Sequence, residues 1–325
     1  MSYYVVTGAA GFIGSRLVAG LNRRGVRDII VVDNLQQSAK FTNLVGCDIA
    51  DYVDQSRFFA TLEKLEGSVE AVFHQGACSD TMESDGRYMM ANNYEYSKRL
   101  LEWCQDEETP LIYASSASVY GAGPEFREER RCEKPLNVYG YSKFLFDQHV
   151  RSVLPGKTAQ VAGLRYFNVY GPNETHKGRM ASVALHAFQQ LHAEGKVKLF
   201  VGSAGYGDGE QRRDFVYVDD VVAVNLWLLE RRDVSGVFNC GTGRAQTFNR
   251  LAVAVINAVN RSNLTLHEIV AKGLIEYIPF PNQLINKYQS FTEADMSRLK
   301  GAGYPGEFMS VEQGVAAYVK ELQAK

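Results

Sequence analysis

Short runs of Val, Ile and Leu recur along this chain, each followed by a longer stretch in which apolar residues return every three or four positions. A short continuous apolar run reads as a strand buried on both faces, and the wider spacing reads as an amphipathic helix. Strands are predicted at Tyr3–Thr7, Ile29–Val32, Val69–Phe73, Leu111–Ala114, Gln160–Leu164 and Val237–Asn239. Predicted helices include Phe12 to about Arg24, Tyr88 to Cys104 and Val138 to Val153. Strand alternating with helix predicts an α/β fold, a doubly wound parallel sheet of the Rossmann type, joined by a smaller α/β domain.

In such sheets a ligand sits beyond the carboxyl ends of the strands. Chemistry-bearing residues stand at four of those ends: Gly8-x-x-Gly11-x-x-Gly14, Asp33, His74-Gln75-Gly76-Ala77 and Ser115-Ser116. Gly11 lets backbone N–H groups approach a pyrophosphate, Gly14 lets the next helix pack on the sheet, and that helix aims its positive end at the phosphates. Asp33, about 20 residues past the glycines, is placed to accept hydrogen bonds from a ribose. These features predict a dinucleotide site. The expected division is residues 1–167 with about 214–240 as the dinucleotide-binding domain, and 168–213 with about 241–325 as an interleaved substrate-binding domain.

The bulk properties narrow the setting. With 325 residues the chain can bury a large core, and a net charge of −2 gives no basic field for nucleic acid or anionic lipid. The five cysteines are odd in number, scattered and never spaced as Cys-x-x-Cys, which argues against a disulfide framework or a metal site. No apolar run approaches the roughly 18 residues of a spanning helix. The chain opens directly into a strand without a leader pattern, so a soluble cytoplasmic enzyme is expected. One glycine-rich loop, Val201 to Gly209, reads equally as a mobile lid or as a surface insertion.

Tyr139-x-x-x-Lys143 adds the reaction. Residues four apart share a helix face, so a phenol and an ammonium stand together. A free tyrosine titrates near 10. Lys143 and an oxidised nicotinamide are expected to lower that value, while Lys143 also holds the nicotinamide ribose and Ser116 hydrogen-bonds the reacting alcohol. Otherwise Tyr139 would be a packing aromatic and Ser116 a turn residue.

Gly8-x-x-Gly11-x-x-Gly14, Ser115 to Gly121, Tyr139-x-x-x-Lys143 and Arg213 to Asp220 together resemble the extended short-chain dehydrogenase/reductases that modify nucleotide sugars. A dehydratase of that superfamily would carry Asp-Glu after the serine; Ala117-Ser118 stands there and favours an epimerase. Phe73 to Ser79, Tyr88 to Tyr94, Lys134 to Asp147, Arg165 to Pro172 and His176 to Val183 are similar to the ADP-L-glycero-D-manno-heptose 6-epimerases. The resemblance implies an NADP-dependent isomerase, with NAD possible, that inverts C6 of a lipopolysaccharide inner-core precursor and assembles as a homopentamer. It implies two acid/base residues, Tyr139 and Lys177, because the exocyclic C6 hydroxyl projects differently in the two epimers.

Residue by residue, the resemblance places cofactor contacts at Phe12, Ile13, Asp33, Asn34, Lys40, Gln75, Gly76, Ala77, Cys78, Ser79, Asn92, Lys143, Val169 and Lys177. It places substrate contacts at Asn168, His186, Phe200, Val201, Gly202, Ser203, Arg213 and Tyr288. Arg213 suits the ADP phosphates as a bidentate partner, whereas His186 reads equally as a surface histidine and Tyr288 as a packing aromatic. Two positions depart from the pattern: a cofactor-contacting lysine appears as Gln55, and a substrate-contacting serine as Arg179. Asp33 alone would repel a 2′-phosphate and favour NAD; Lys40 offers compensation. A UDP-sugar 4-epimerase, which can reuse one tyrosine, and a non-catalytic dinucleotide sensor, which would not need the Tyr139/Lys143 pair, are the alternatives.

Overall fold

The computed structural model describes residues 2–280 and 289–324. Seven parallel strands form the central sheet: β1 (Tyr3–Thr7), β2 (Ile29–Asp33), β3 (Asp51–Asp54), β4 (Val69–His74), β5 (Leu111–Ser116), β6 (Val161–Tyr166) and β7 (Gly236–Cys240), in the order β7-β6-β5-β4-β1-β2-β3. The strand order reverses at β1, so loops after β1 and β4 diverge and leave a crevice between them. Strand β3 had no counterpart among the predicted strands. It lies at the sheet edge with Val53 as its one buried residue, and an edge strand facing solvent carries no apolar run. Strand β6 begins at Val161, just after Gln160, whose carbonyl still accepts from Leu111 N–H (2.9 Å) while its side-chain amide donates to the carbonyls of Leu228, Arg231 and Val234.

Both faces of the sheet are covered. One core packs α1 (Phe12–Arg23) and a later helix, Val218–Glu230, against Val6, Val31 and Phe73. The other packs α2 (Tyr96–Asp106) and α3 (Val138–Val153) against Val5, Val32 and Val72. Neighbouring residues of one strand thus enter opposite cores, as the alternation of side chains along a strand requires. A third cluster joins α4 (Val183–Glu194), α5 (Val218–Glu230), α6 (Phe248–Asn260) and α7 (Val311–Gln323) through Leu185, Val218, Leu251 and Val315. No helix of the described residues is long and apolar enough to cross a membrane.

Two local features go beyond what the sequence predicts. The helical run before α2 contains a π-helical turn over Met90–Glu95, which sequence periodicity did not predict. The Val201–Gly209 loop is stapled rather than open. Gly202 N–H donates to Asp208 (2.7 Å), Gly209 N–H to the Phe200 carbonyl (3.0 Å), and the Asn249 amide to the Asp208 carbonyl (2.8 Å).

Candidate active site

The glycine turn is built by exclusion of side chains. Gly8 has φ +64°, and a Cβ there would lie 2.7 Å from Gly76 Cα; one on Gly14 would lie 2.2 Å from the Gly8 carbonyl oxygen. Gly11 caps α1 without a side-chain acceptor, and the first turn holds no acidic residue. The amides at the start of α1 therefore remain for an anion. Beneath the turn, Thr7 and Ser97 hydroxyls hold His74 at 2.7 and 2.8 Å, and burial drives its pKa down to about 3. A neutral imidazole suits this pattern: Ser97 donates to the Asn93 carbonyl (2.5 Å) and so accepts from the ring, leaving Thr7 to donate to Nδ1.

A cavity of about 630 Å³ opens over this turn. Every residue assigned above to the cofactor lines it, Gln55 included, together with Ser116 and Tyr139. Asp33 is buried, accepting from Ala10 N–H (3.0 Å) and Asn34 N–H (2.8 Å), and the Lys40 ammonium closes on it at 2.5 Å. Gln55 forms a neutral bridge, accepting from Asn34 (3.3 Å) and donating to Asn92 (3.0 Å). The π-turn presents Asn93 alongside Asn92, and Asn93 clamps the Cys78 backbone through both its N–H (2.8 Å) and its carbonyl (2.9 Å). Two polar contributors among those that escaped the sequence reading stand out. Asn93 is one; the other is His176, which lines the cavity and whose pKa is lowered to about 4 by burial and by Lys40 and Lys177. Its position beside Lys177 was the available signal.

Tyr139 stands in the first turn of α3, whose Asn137 cap accepts from Gly140 N–H at 2.8 Å. Ser116 faces the Tyr139 phenol and favours the phenolate. Burial raises the Tyr139 pKa in the protein alone, whereas the expected lowering is that of Lys143 together with an oxidised nicotinamide. The enclosed phenolate would lose its hydration, and the Lys143 ammonium is directed at the Ala114 carbonyl, 2.9 Å away. Lys143 itself is lowered to about 8 by burial, opposed by Asp147 one turn on. Lys177 enters from another segment, its ammonium 5.4 Å from the centre of the Phe12 ring at the start of α1. Burial lowers its pKa, opposed by Glu174.

A second cavity of about 500 Å³ shares Asn168, Met180 and Val183 with the first. His186, Phe200 and Arg213 line it. Arg213 is buried, donating to the Arg212 carbonyl (3.0 Å) with its guanidinium 5.6 Å from the Phe248 ring centre. Three expected substrate contacts, Val201, Gly202 and Ser203, lie outside both cavities because the loop's own closure engages them, as when Gln211 donates to the Val201 carbonyl at 3.0 Å. Arg179 also lies outside both and pairs with Asp80 at 2.7 Å. Tyr288 falls outside the described residues. Among the described residues no cluster of His, Cys, Asp and Glu could hold a metal ion.

The chain is 61% identical to an ADP-L-glycero-D-manno-heptose-6-epimerase of Thiobacillus denitrificans, over 98% of each chain. Its fold superposes on the ADP-L-glycero-D-manno-heptose-6-epimerase of Helicobacter pylori with a TM-score of 0.81, at 30% identity over 100% of this chain and 97% of that one. It superposes as well on a UDP-N-acetylglucosamine 4-epimerase of Methanobrevibacter ruminantium, with a TM-score of 0.82 at 26% identity over 99% and 98% of the two chains. Residues 4–241 match the model of the NAD dependent epimerase/dehydratase family. The chain belongs to that family.

Proposed function

We propose that this protein is a nicotinamide-dinucleotide-dependent epimerase that inverts C6 of an ADP-glycero-manno-heptose. Backbone shape alone does not choose between this and a UDP-sugar 4-epimerase, since both kinds of fold superpose equally well. The carrying observation is that two acid/base side chains from separate segments, Tyr139 beside β5 and Lys177 over the start of α1, line one cavity. The residues present fit a dinucleotide: the uncapped amides of α1 suit its pyrophosphate, and the glycines leave room where a Cβ would collide. The cofactor, when bound, supplies a hydride acceptor and, oxidised, a positive charge that favours a nearby phenolate.

The protein's own residues then divide the work. Lys143 holds the ribose side of the cofactor, and Ser116 orients the reacting hydroxyl toward Tyr139. Tyr139 removes the proton from the C6 oxygen of one epimer as C6 becomes a ketone. Rotation about the exocyclic bond presents the other face, and Lys177 would protonate the oxygen in its new position as the hydride that C6 gave up to the cofactor is returned to it, restoring the alcohol. Arg213 grips the remote ADP phosphates in the second cavity. NADP is the preferred cofactor in this reading, because Lys40 already neutralises Asp33, the carboxylate that would repel a 2′-phosphate.

Incubating the purified protein with ADP-D-glycero-D-manno-heptose and following C6 by NMR tests the activity; conversion of a UDP-hexose at C4 instead would select the alternative. Mass spectrometry of the nucleotide released on denaturation tests NADP against NAD. A cytoplasmic pentamer supplying a lipopolysaccharide precursor belongs to the same reading, tested by light scattering and cell fractionation.

A further inference from the structure

The segment that carries Lys177 is anchored at its base and pinned at its tip. At the base, the buried Glu174 carboxylate accepts from Ser182 N–H (2.6 Å), the Ser182 hydroxyl (2.6 Å) and Gly171 N–H (3.3 Å), closing residues 171–182 into a loop. Lys177 N–H returns to the Glu174 carbonyl at 2.9 Å. At the tip, Gly178 takes φ +52° and ψ −126°, breaking the helical turn between Lys177 and Arg179. The two cations are thereby sent apart: Lys177 into the cofactor cavity, Arg179 to Asp80 at 2.7 Å.

Asp80 belongs to the loop after β4 that also carries Cys78 and Ser79, and it lines the cofactor cavity. Next to the ion pair, the Thr81 hydroxyl reaches Met180 Sδ at 3.9 Å, and Met180 lines both cavities. The pin therefore spans the cleft where the two cavities meet. We propose that Arg179 is a positioning residue which, through Asp80, holds the loop carrying Lys177 closed over the bound dinucleotide. This rests on the reading that the cavity takes a nicotinamide dinucleotide and that Lys177 works in it. The two side chains are 67% and 34% exposed, so the pair is weak and reversible. That suits a contact that must open for exchange and close for turnover.

The test is a double-mutant cycle on Arg179→Gln and Asp80→Asn, with the charge reversal Arg179→Glu plus Asp80→Lys. The readout is the rate at which bound NADPH, and separately NADH, leaves when chased with excess oxidised cofactor. Each single variant is expected to release the dinucleotide about two- to fivefold faster, consistent with an exposed pair. The double variant should be no faster than the singles, and the reversal should restore the wild-type rate within about twofold. Kcat should fall in the singles and recover in the reversal. Unchanged release in both singles, or effects that multiply in the double, would overturn the positioning role while leaving the epimerase reading intact. A wild-type protein that binds neither reduced dinucleotide would instead remove the functional reading, and this proposal with it.

Discussion

Lys40 and Asp33 form a closed pair at the β2 end of the cleft, with Nζ 2.5 Å from Oδ1 and both side chains largely buried. The carboxylate that would discriminate against a phosphorylated ribose thus arrives with its charge already met. Lys40→Ala should weaken NADP by about 1.5–3 kcal/mol, the worth of a charge-assisted contact, and weaken NAD much less. Binding titrations of both nucleotides check this, and equal losses would show that Lys40 does not read the 2′-phosphate.

Tyr139→Phe should lower turnover by a factor on the order of 10² or more while cofactor stays bound. Because burial raises the Tyr139 pKa, its phenol should stay protonated at neutral pH in the cofactor-free protein. The difference in ultraviolet absorbance between wild type and the variant, followed against pH, reports that ionisation. A transition below pH 10 without cofactor would contradict the account.

Arg213→Met should raise KM for the sugar nucleotide sharply with a smaller change in kcat. A guanidinium on a remote phosphate binds ground and transition states about equally. A collapse of kcat at constant KM would place Arg213 at the reacting end.

His74 predicts an acid limit to stability. Its pKa falls from about 6.5 in the unfolded chain to about 3 in the fold, so the unfolded state takes up the proton first as pH drops. The contribution is complete above 6.5 and is lost progressively down to 3, by at most about 1.4 kcal/mol per pH unit. In urea unfolding, His74→Gln should show a shallower loss between pH 6.5 and 4 than wild type; equal slopes would exclude the histidine as the cause.

The parallel sheet was legible because each central strand is a short apolar run, and the glycine turn because its spacing is a steric requirement. Strand β3 was not, since one buried residue at an edge leaves no pattern. The partners of charged groups were not legible either. Arg179 resembled a substrate contact by position, yet it turns outward to Asp80 because Gly178 reverses the backbone between it and Lys177. Tyr139 could be placed beside Lys143 from spacing alone, but only the fold reveals the enclosure that raises its pKa and the Ala114 carbonyl that takes the ammonium.

The two-base arrangement is most directly tested at Lys177. Its ammonium lies at the α1 side of the cavity, while Tyr139 lies against Ser116 on the β5 side, and a single phenol cannot meet the C6 oxygen of both epimers without moving the sugar. The measurement is the epimerisation rate of Lys177→Met on ADP-D-glycero-D-manno-heptose, with circular dichroism and bound-nucleotide content recorded on the same sample. The account predicts a loss on the order of 10² or more with fold and cofactor retained. Turnover at the wild-type rate would contradict it and leave Tyr139 to act alone.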